Sequence, residues 1–309
     1  MIERLHLIDG TFELFRAHFT RFPGGGSVRA GAAEDGARPA NGNRPKATIG
    51  IAAAMISLLH DTAEKVTHAG IAFDNPIRSF RNDLFDGYKT EEGVEPELLA
   101  QFDAAEEAAA ALGLVVWSMD EFEADDALAT AAARFGPEVA QVRILTPDKD
   151  LGQCLSGTRV VQVDRVRRTV IDEAALVARR LVAPESIPDF LALVGDDADG
   201  IPGVAGFGEK SAGAILARYR HLESIPDDPA QWPTRIRSAP RLAAALRAAG
   251  DAVPLYRKLA TLRRDVQLTE SLDDLRFRGV PRAKFVTWCE QLGATHLIAR
   301  VNRWDRDHA

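Results

Sequence analysis

Short apolar runs that each hand the chain to an acidic residue constrain the fold of this sequence more than any other feature. "LHLID" ends at Asp9, "AGIAFD" ends at Asp74, and "VRILTPDKD" runs into Asp148 and Asp150. "LGLVVWS" is followed by "MDEFEADDALATAAARF", in which Glu123, Asp125 and Asp126 open an alanine-rich helix. Longer helical patterns separate the runs, so the chain reads as an α/β fold with a mainly parallel sheet and flanking crossover helices. In open sheets of this kind ligands bind at the C-terminal edge of the strands, where these acids fall. Helix capping and the helix dipole account for any one acid at such a position. Several in register point to one polyacidic edge.

The back part of the chain, from about Pro184, has no convincing strand run. "IPDFLALVG" reads as a short helix, and Asp196 and Asp199 follow at i, i+3 spacing, which can set both carboxylates on one side. "IPGVAGFGEKSAGAIL" then turns at Gly203, Gly206 and Gly208 before a helix beginning near Glu209. Glycine opens backbone geometries closed to other residues, and amides at a helix N-terminus favour an anion such as phosphate. A plain loop also produces a Gly-x-Gly turn. With Lys210 and Ser211 immediately after it and two spaced acids before it, the segment reads as a phosphate grip.

Brought together, Asp9, Asp74, Glu123, Asp125, Asp126, Asp148, Asp150, Asp196 and Asp199 would repel one another and raise their own pKa values. Divalent cations with oxygen ligands resolve that repulsion, and Mg²⁺, with Mn²⁺ as a substitute, suits carboxylates, water and phosphate. Two or more such ions, with neighbours about 3.5–4 Å apart, can activate a water, position a phosphodiester and stabilise the leaving oxygen. Arg78, Arg81 and Lys89 lie in a long polar segment after Asp74; basic groups there either neutralise the acids or hold a phosphate. Cys154 and Cys289 are the only cysteines, so neither a disulfide framework nor a thiolate zinc site is expected.

The chain has 309 residues and is 46% hydrophobic, enough for one large core or two modest ones. It shows no basic apolar leader and no run of membrane-spanning length, so a cytoplasmic protein is expected. A net charge of −7 looks ill suited to a nucleic-acid partner, yet from Trp232 onward 15 Lys+Arg face 8 Asp+Glu. An acidic front and a basic back suit a catalytic region joined to a phosphate-tracking surface; a solvated face gives the same count. Residues 21–48 read as a long loop whose Arg21, Arg29, Arg38 and Arg44 could brush a nucleic-acid backbone. "ATIGIAAAMISLLHDTAEKV" after it reads as the first crossover helix. Trp117, Trp232, Trp288 and Trp304 are expected in packing rather than in base stacking.

The ordered segments "LIDGTFELFRAHF", "AFDNPIRSFRNDLFDGYK", "EFEADDALAT", "LTPDKDLGQCL", "IPDFLALVGDDADGIPGVAGFGEKSAGAIL" and "YRKLATLRRDV" cover nearly the whole chain. Their sequence resembles the 5′→3′ exonuclease and flap endonuclease family, especially the N-terminal nuclease domain of bacterial DNA polymerase I and its stand-alone relatives. The resemblance implies a PIN-like domain over residues 1–182 with a helical arch at about 80–111. A helix-hairpin-helix (H3TH) DNA-binding region over 183–309 would follow, its C-terminal segment packing back on the core. It assigns the nine acids to the family's two metal-binding groups, and Arg81 and Lys89 to a catalytic basic pair at the foot of the arch. It places Gly203, Gly206, Gly208, Lys210 and Ser211 in a hairpin that grips duplex phosphates and can hold K⁺.

The implied function is metal-dependent, structure-selective hydrolysis of DNA at flaps, nicks or overhangs in replication or repair. The implied enzyme is a free-standing, nucleoid-associated bacterial monomer making transient contacts with repair proteins. Two departures stand out. Residues 82–111 carry nine acids and one lysine, which should attract a single-stranded 5′ end poorly, and Gly200 replaces the family's usual asparagine after the last acid. A non-catalytic DNA-binding protein would have no reason to keep all nine acids, and a PIN-type ribonuclease would not need the hairpin.

Overall fold

The protein is described from a computed structural model covering residues 2–20 and 45–305. Arg21, Arg29, Arg38 and Arg44, read above as possible backbone contacts, lie outside the described residues. Strands β1 (Ile2–Asp9), β2 (His68–Asp74), β3 (Val115–Met119), β4 (Val139–Leu145), β5 (Val160–Asp164) and β6 (Thr169–Ile171) form one sheet in the order β3-β2-β1-β4-β5-β6. All neighbours are parallel except the terminal β5–β6 pair. The chain builds outward from β1 to β3 and then restarts at β4 on the other side of β1. That reversal makes the C-terminal edge near β1 and β4 the topological switch point, where an open α/β sheet leaves a crevice.

The helices are α1 (Gly10–Phe19), α2 (Lys46–Leu59), α3 (Arg81–Leu84), α4 (Pro96–Leu99), α5 (Phe102–Ala111), α6 (Ala124–Phe135), α7 (Glu173–Arg180), α8 (Ile187–Val194), α9 (Glu209–Tyr219), α10 (Ala239–Ala249), α11 (Ala252–Ala260) and α12 (Arg282–Gln291). The described residues divide into two compact units. The first draws on Met1–Gly10, Val66–Gly93 and Val115–Phe277, and the second on Thr11–Lys65, Val94–Leu114 and Arg278–Ala309. Each unit thus draws on three separate stretches of the chain. The expected arch, 80–111, contains α3, α4 and α5, and its part from Val94 belongs to the second unit.

Within the first unit, the small side chains of α6 let that helix sit closely on the sheet: Ala127, Leu128, Ala131 and Phe135 share a core with Leu5, Leu7, Val142 and Ile144. Leu262, Val266, Leu268 and Leu275 return from beyond α11 to the same core. Ala69 N donates to Leu275 O at 2.8 Å and Phe277 N to Thr67 O at 2.8 Å, tying that returning segment to the β2 end of the sheet. A second core in this unit joins α8, α9, α10 and α11 through Phe190, Leu191, Ile215, Leu216, Leu242 and Leu259, with Trp232 buried among them.

In the second unit, α2 begins at Pro45, which cannot cap it with a side chain. Gln101 does so instead, its Oε1 accepting from Ala47 N at 2.9 Å and Thr48 N at 3.1 Å. Phe285 and Trp288 of α12 stack at 5.7 Å between ring centroids. Among the described residues no helix is long and apolar enough to cross a membrane.

Candidate metal centre

The acids gather at the C-terminal edge of the first unit's sheet, each placed by a distinct local device. Asp9 closes β1, and its Oδ2 accepts from Thr146 Oγ1 at 2.8 Å, so the segment after β4 orients the acid at the end of β1. Asp74 closes β2, and its Oδ1 accepts from Ala124 N at 2.7 Å, capping the first turn of α6. Asp148 and Asp150 follow β4 in a tight turn in which Asp148 Oδ1 accepts from Asp150 N at 2.8 Å, while Gln162 of β5 donates to Asp148 O. Asp196 and Asp199 flank a narrow turn closed by reciprocal bonds between Asp196 and Ile201, both 2.8 Å.

Two clusters result. Asp150, Asp196 and Asp199 each offer an oxygen such that all three lie within 4.8 Å of one another. Asp150 Oδ1 is buried and accepts no hydrogen bond, an orphaned acceptor aimed where a cation would satisfy it. Burial, Asp148, Asp199 and Asp196 together push the Asp150 carboxyl well above the usual carboxylate range. Around Asp125 the second cluster forms: burial, Asp148, Asp9 and Asp74 drive its carboxyl upward in the same way. Burial and the neighbouring Asp199 and Asp196 also raise Asp148, against the hydrogen bond from Asp150, so Asp148 links the clusters. Carboxylates that raise one another by repulsion, with an unsatisfied oxygen among them, fit a divalent metal with oxygen ligands.

Asp126 departs from the nine-acid expectation. It is fully buried, and its two oxygens accept from Arg81 Nη1 at 2.7 Å, Arg81 Nη2 at 2.8 Å, Arg263 N at 2.8 Å and Glu123 N at 3.1 Å. Four donors saturate the carboxylate, leaving no lone pair for a metal. Arg81, expected as a catalytic residue at the foot of the arch, is the partner of this carboxylate. The Arg81 side chain is 1% exposed, and besides Asp126 it donates to Leu259 O at 2.8 Å and Thr261 O at 3.1 Å. Arg81 is a buried strut between the segment after β2, α6 and the end of α11.

Glu123, at the N-cap of α6, is also engaged. It accepts from Ser79 Oγ at 2.6 Å, Tyr88 Oη at 3.3 Å and Lys89 Nζ at 2.9 Å, and lies 3.2 Å from Arg81 Nη1. Burial alone would raise its pKa; Lys89 and Arg81 outweigh it and hold the carboxyl at about 2. Lys89 bridges from Glu123 to Asp199 Oδ1 at 3.0 Å and is raised well above its ordinary pKa: burial opposes the charge, and Glu123, Tyr88 and Asp199 overcome that. It therefore stays protonated at the seam between basic and acidic groups. Its backbone N donates to Asp199 O at 3.0 Å. The steric reason for Gly200 lies beside it: φ is +73° and a Cβ would stand 2.0 Å from Gly87 O, so no side chain fits.

The hairpin follows directly from the turn that carries Asp196 and Asp199. Gly203 lies folded against the end of α8, Gly206 adopts φ +87°, and Gly208 begins α9. Ser211 Oγ accepts from Gly208 N at 3.0 Å and donates to Gly208 O at 2.9 Å, so the hydroxyl caps its own helix rather than standing free. Lys210 is exposed in the first turn. The sequence reading missed the orienting groups: Thr146 on Asp9, Ser79 and Tyr88 on Glu123, and Lys149, whose Nζ pairs with Asp196 Oδ2 at 2.7 Å. Thr146 and Lys149 sit inside "LTPDKD", but only folding shows which acids they reach.

A model of the 5′-3′ exonuclease N-terminal resolvase-like domain matches residues 4–180, and one of the 5′-3′ exonuclease C-terminal SAM fold matches residues 182–283. A 5′-3′ exonuclease of Aquifex aeolicus is 27% identical over 98% of this chain and 96% of its own length. DNA polymerase I of Mycobacterium tuberculosis is 34% identical over 89% of this chain and 29% of its own length. The chain thus spans less than a third of the polymerases it matches. Among solved structures, a bacteriophage T5 flap endonuclease in a pseudo-enzyme-product complex with DNA and metal ions shares the fold at a TM-score of 0.61 and 17% identity, over 96% of this chain and 98% of that one. T5 5′-exonuclease with bound zinc ions gives the same score and identity over 94% and 98%. With its acid-edged parallel sheet and its hairpin in family order, the chain belongs to the 5′-3′ exonuclease family.

Proposed function

We propose that this chain is a Mg²⁺-dependent, structure-selective 5′ nuclease that hydrolyses DNA phosphodiesters at a 5′ end or branch junction. The observation that carries the reading is the pair of acid clusters at the switch-point edge, one of them within 4.8 Å and holding an orphaned buried oxygen. Asp150, Asp196 and Asp199 would hold one divalent ion, and Asp9, Asp74, Asp125 and Asp148 another. When bound, such ions supply an activated water and neutralise charge on the scissile phosphate.

The chain's own groups do the rest. Thr146 fixes the Asp9 carboxylate, and Asp74 ties the start of α6 to the edge. Lys89, charged and held by Glu123 and Asp199, stands ready to exchange a carboxylate for a phosphate oxygen, which would free an oxygen of Glu123. The hairpin from Gly203 to Lys210 would grip duplex phosphates, with K⁺ a further ligand there, and so set the distance to the cut. The DNA-bound relatives support DNA as the partner. Acting as a monomer in the bacterial cytoplasm, with transient contacts to repair proteins, belongs to the same proposal. The nine acids of residues 82–111 argue for nicked or recessed ends over threading of a long single strand.

Cleavage of a 5′-labelled flapped duplex in Mg²⁺, Mn²⁺ or EDTA tests this, with wild type compared against Asp148→Ala and binding recorded separately. Metal-dependent cutting near the junction, lost in the variant while binding persists, is the expected result. Tight binding without cutting in any metal would leave a DNA-binding scaffold. Faster cutting of an equivalent RNA would favour the ribonuclease reading.

A further inference from the structure

The cationic excess after Trp232 has a specific location that neither the metal centre nor the hairpin absorbs. A groove of about 930 Å³ opens beside the start of α9 and is lined by Gly206, Gly208 and Lys210 together with Arg235, Arg237 and Arg241. Lys210 and the three arginines are exposed, and among the described residues none of the four has an ion pair or side-chain hydrogen bond. Among the described residues lining the groove, only Glu209 is acidic. Two helices of eleven residues, α9 and α10, begin at this groove. Their N-terminal partial positive charges therefore add to those of the side chains.

The backbone holds the arginine segment in place. Ile236, between Arg235 and Arg237, is buried in the helical core, so the two arginines project from an anchored segment. Ser238 then takes a left-handed conformation, φ +58°, to start α10, and Leu242 N donates to Ser238 O at 3.1 Å. Deeper along the first unit, Arg180 at the end of α7 keeps a buried Nη1 without a hydrogen-bond partner, next to the groove-lining Leu181. Among the described residues no aromatic side chain lines the groove. Stacked single-stranded bases thus find no platform there, whereas a duplex offers closely spaced phosphates to a cationic wall.

We infer that Arg235, Arg237 and Arg241 form a second phosphate-binding wall, beside the hairpin, for the sugar-phosphate backbone of duplex DNA. This inference rests on the nuclease reading above and extends it: the hairpin contacts one strand, and the wall contacts the backbone beside it. Contacts of this kind position the duplex and carry no base preference.

The test is fluorescence anisotropy in EDTA, so that no cutting intervenes, with a branched duplex bearing a long arm and KCl varied. Wild type is compared with the triple variants R235Q/R237Q/R241Q and R235K/R237K/R241K. The glutamine variant is expected to bind roughly tenfold more weakly at moderate salt, with a log–log salt slope shallower by about 2–3. The lysine variant, which keeps the charges, should retain most of the wild-type slope. Unchanged slope and affinity in the glutamine variant while wild type binds would overturn the wall. So would an equal loss of affinity in both triple variants, or an equal loss on a single-stranded oligonucleotide of the same length. Failure of wild type to bind DNA at any salt would instead sink the nuclease reading, and the wall with it. All three positions are exposed, and matching thermal melts of the three proteins would exclude misfolding.

Discussion

Asp125 and Asp126 are chain neighbours with opposite surroundings. They stand about 100° apart around the first turn of α6. Asp125 faces the acidic edge and its carboxyl is raised by burial, Asp148 and Asp9; Asp126 faces Arg81 and is saturated by four donors. "EADDAL" cannot tell the two apart, because spacing fixes the angle between side chains but not which one meets an arginine 45 residues earlier. Removing the arginine alone leaves a buried carboxylate uncompensated, so Arg81→Met should cost about 3–5 kcal/mol of unfolding free energy. Arg81→Lys should fail to restore it, since an ammonium cannot make the two parallel bonds or reach Leu259 O and Thr261 O as well. The double variant Arg81→Met/Asp126→Leu should recover much of the loss, because replacing both charges with apolar groups removes the desolvation cost with the pair. Urea denaturation of wild type, Arg81→Met, Asp126→Leu and the double variant gives the coupling energy, with Arg81→Lys measured beside them. A stable Arg81→Met protein, or a double variant no better than the single, would mean the ion pair is not what holds these segments.

Among the elements, the hairpin separates glycines needed for folding from those free to serve a ligand. Gly203 has φ +70°, and a Cβ there would meet Gly195 N at 2.5 Å and the Val194 carbonyl carbon at 2.6 Å. Gly208 has an ordinary extended backbone, φ −138°, and open space where a Cβ would go. Gly203→Ala should therefore destabilise the protein by about 2–4 kcal/mol through strain and backbone collision. Gly208→Ala should change stability by less than about 1 kcal/mol and weaken duplex binding instead, by crowding an approaching phosphate. Thermal melts paired with binding titrations decide: loss of binding at unchanged stability for Gly208→Ala assigns it to the grip, and loss of both would make it structural. The elements themselves were largely legible. Acid-terminated apolar runs gave β1, β2 and β4, the alanine-rich pattern gave α6, and the hairpin marked the start of α9. The short antiparallel β6 was not legible, because three residues carry too little periodicity. Nor was the second unit, since Gln101 capping α2 joins residues 53–54 positions apart that no local pattern relates.

At the scale of the whole molecule, the acidic edge should make stability depend on pH and metal together. Asp125, Asp148 and Asp150 have carboxyl groups raised above their ordinary values by burial and by neighbouring carboxylates. The folded chain thus binds protons there that the unfolded chain, with carboxylates titrating near about 3.9, has already released. By linkage the metal-free protein loses stability as pH rises from that range through the raised folded values. Glu123 acts in the opposite sense: held at about 2, it contributes stability above the ordinary glutamate range that is lost as pH falls toward 2. Opposed slopes place the stability maximum of the metal-free protein in the ordinary carboxylate range, near about pH 4. A divalent cation competes with protons for the same oxygens and binds the folded state alone, so its stabilisation should grow with pH. The melting temperature in EDTA should therefore fall as pH is raised from about 4 toward neutrality. Mg²⁺ at about a hundred times its dissociation constant should return about 2.7 kcal/mol at the upper pH, a rise of several degrees, and less at the lower. Asp150→Asn removes the orphaned acceptor's charge and should flatten both the pH slope and the Mg²⁺ response. A melting temperature that rises with pH in EDTA, or a Mg²⁺ shift that is the same at both pH values and survives Asp150→Asn, would show that the clustered acids are not coupled through a shared metal site.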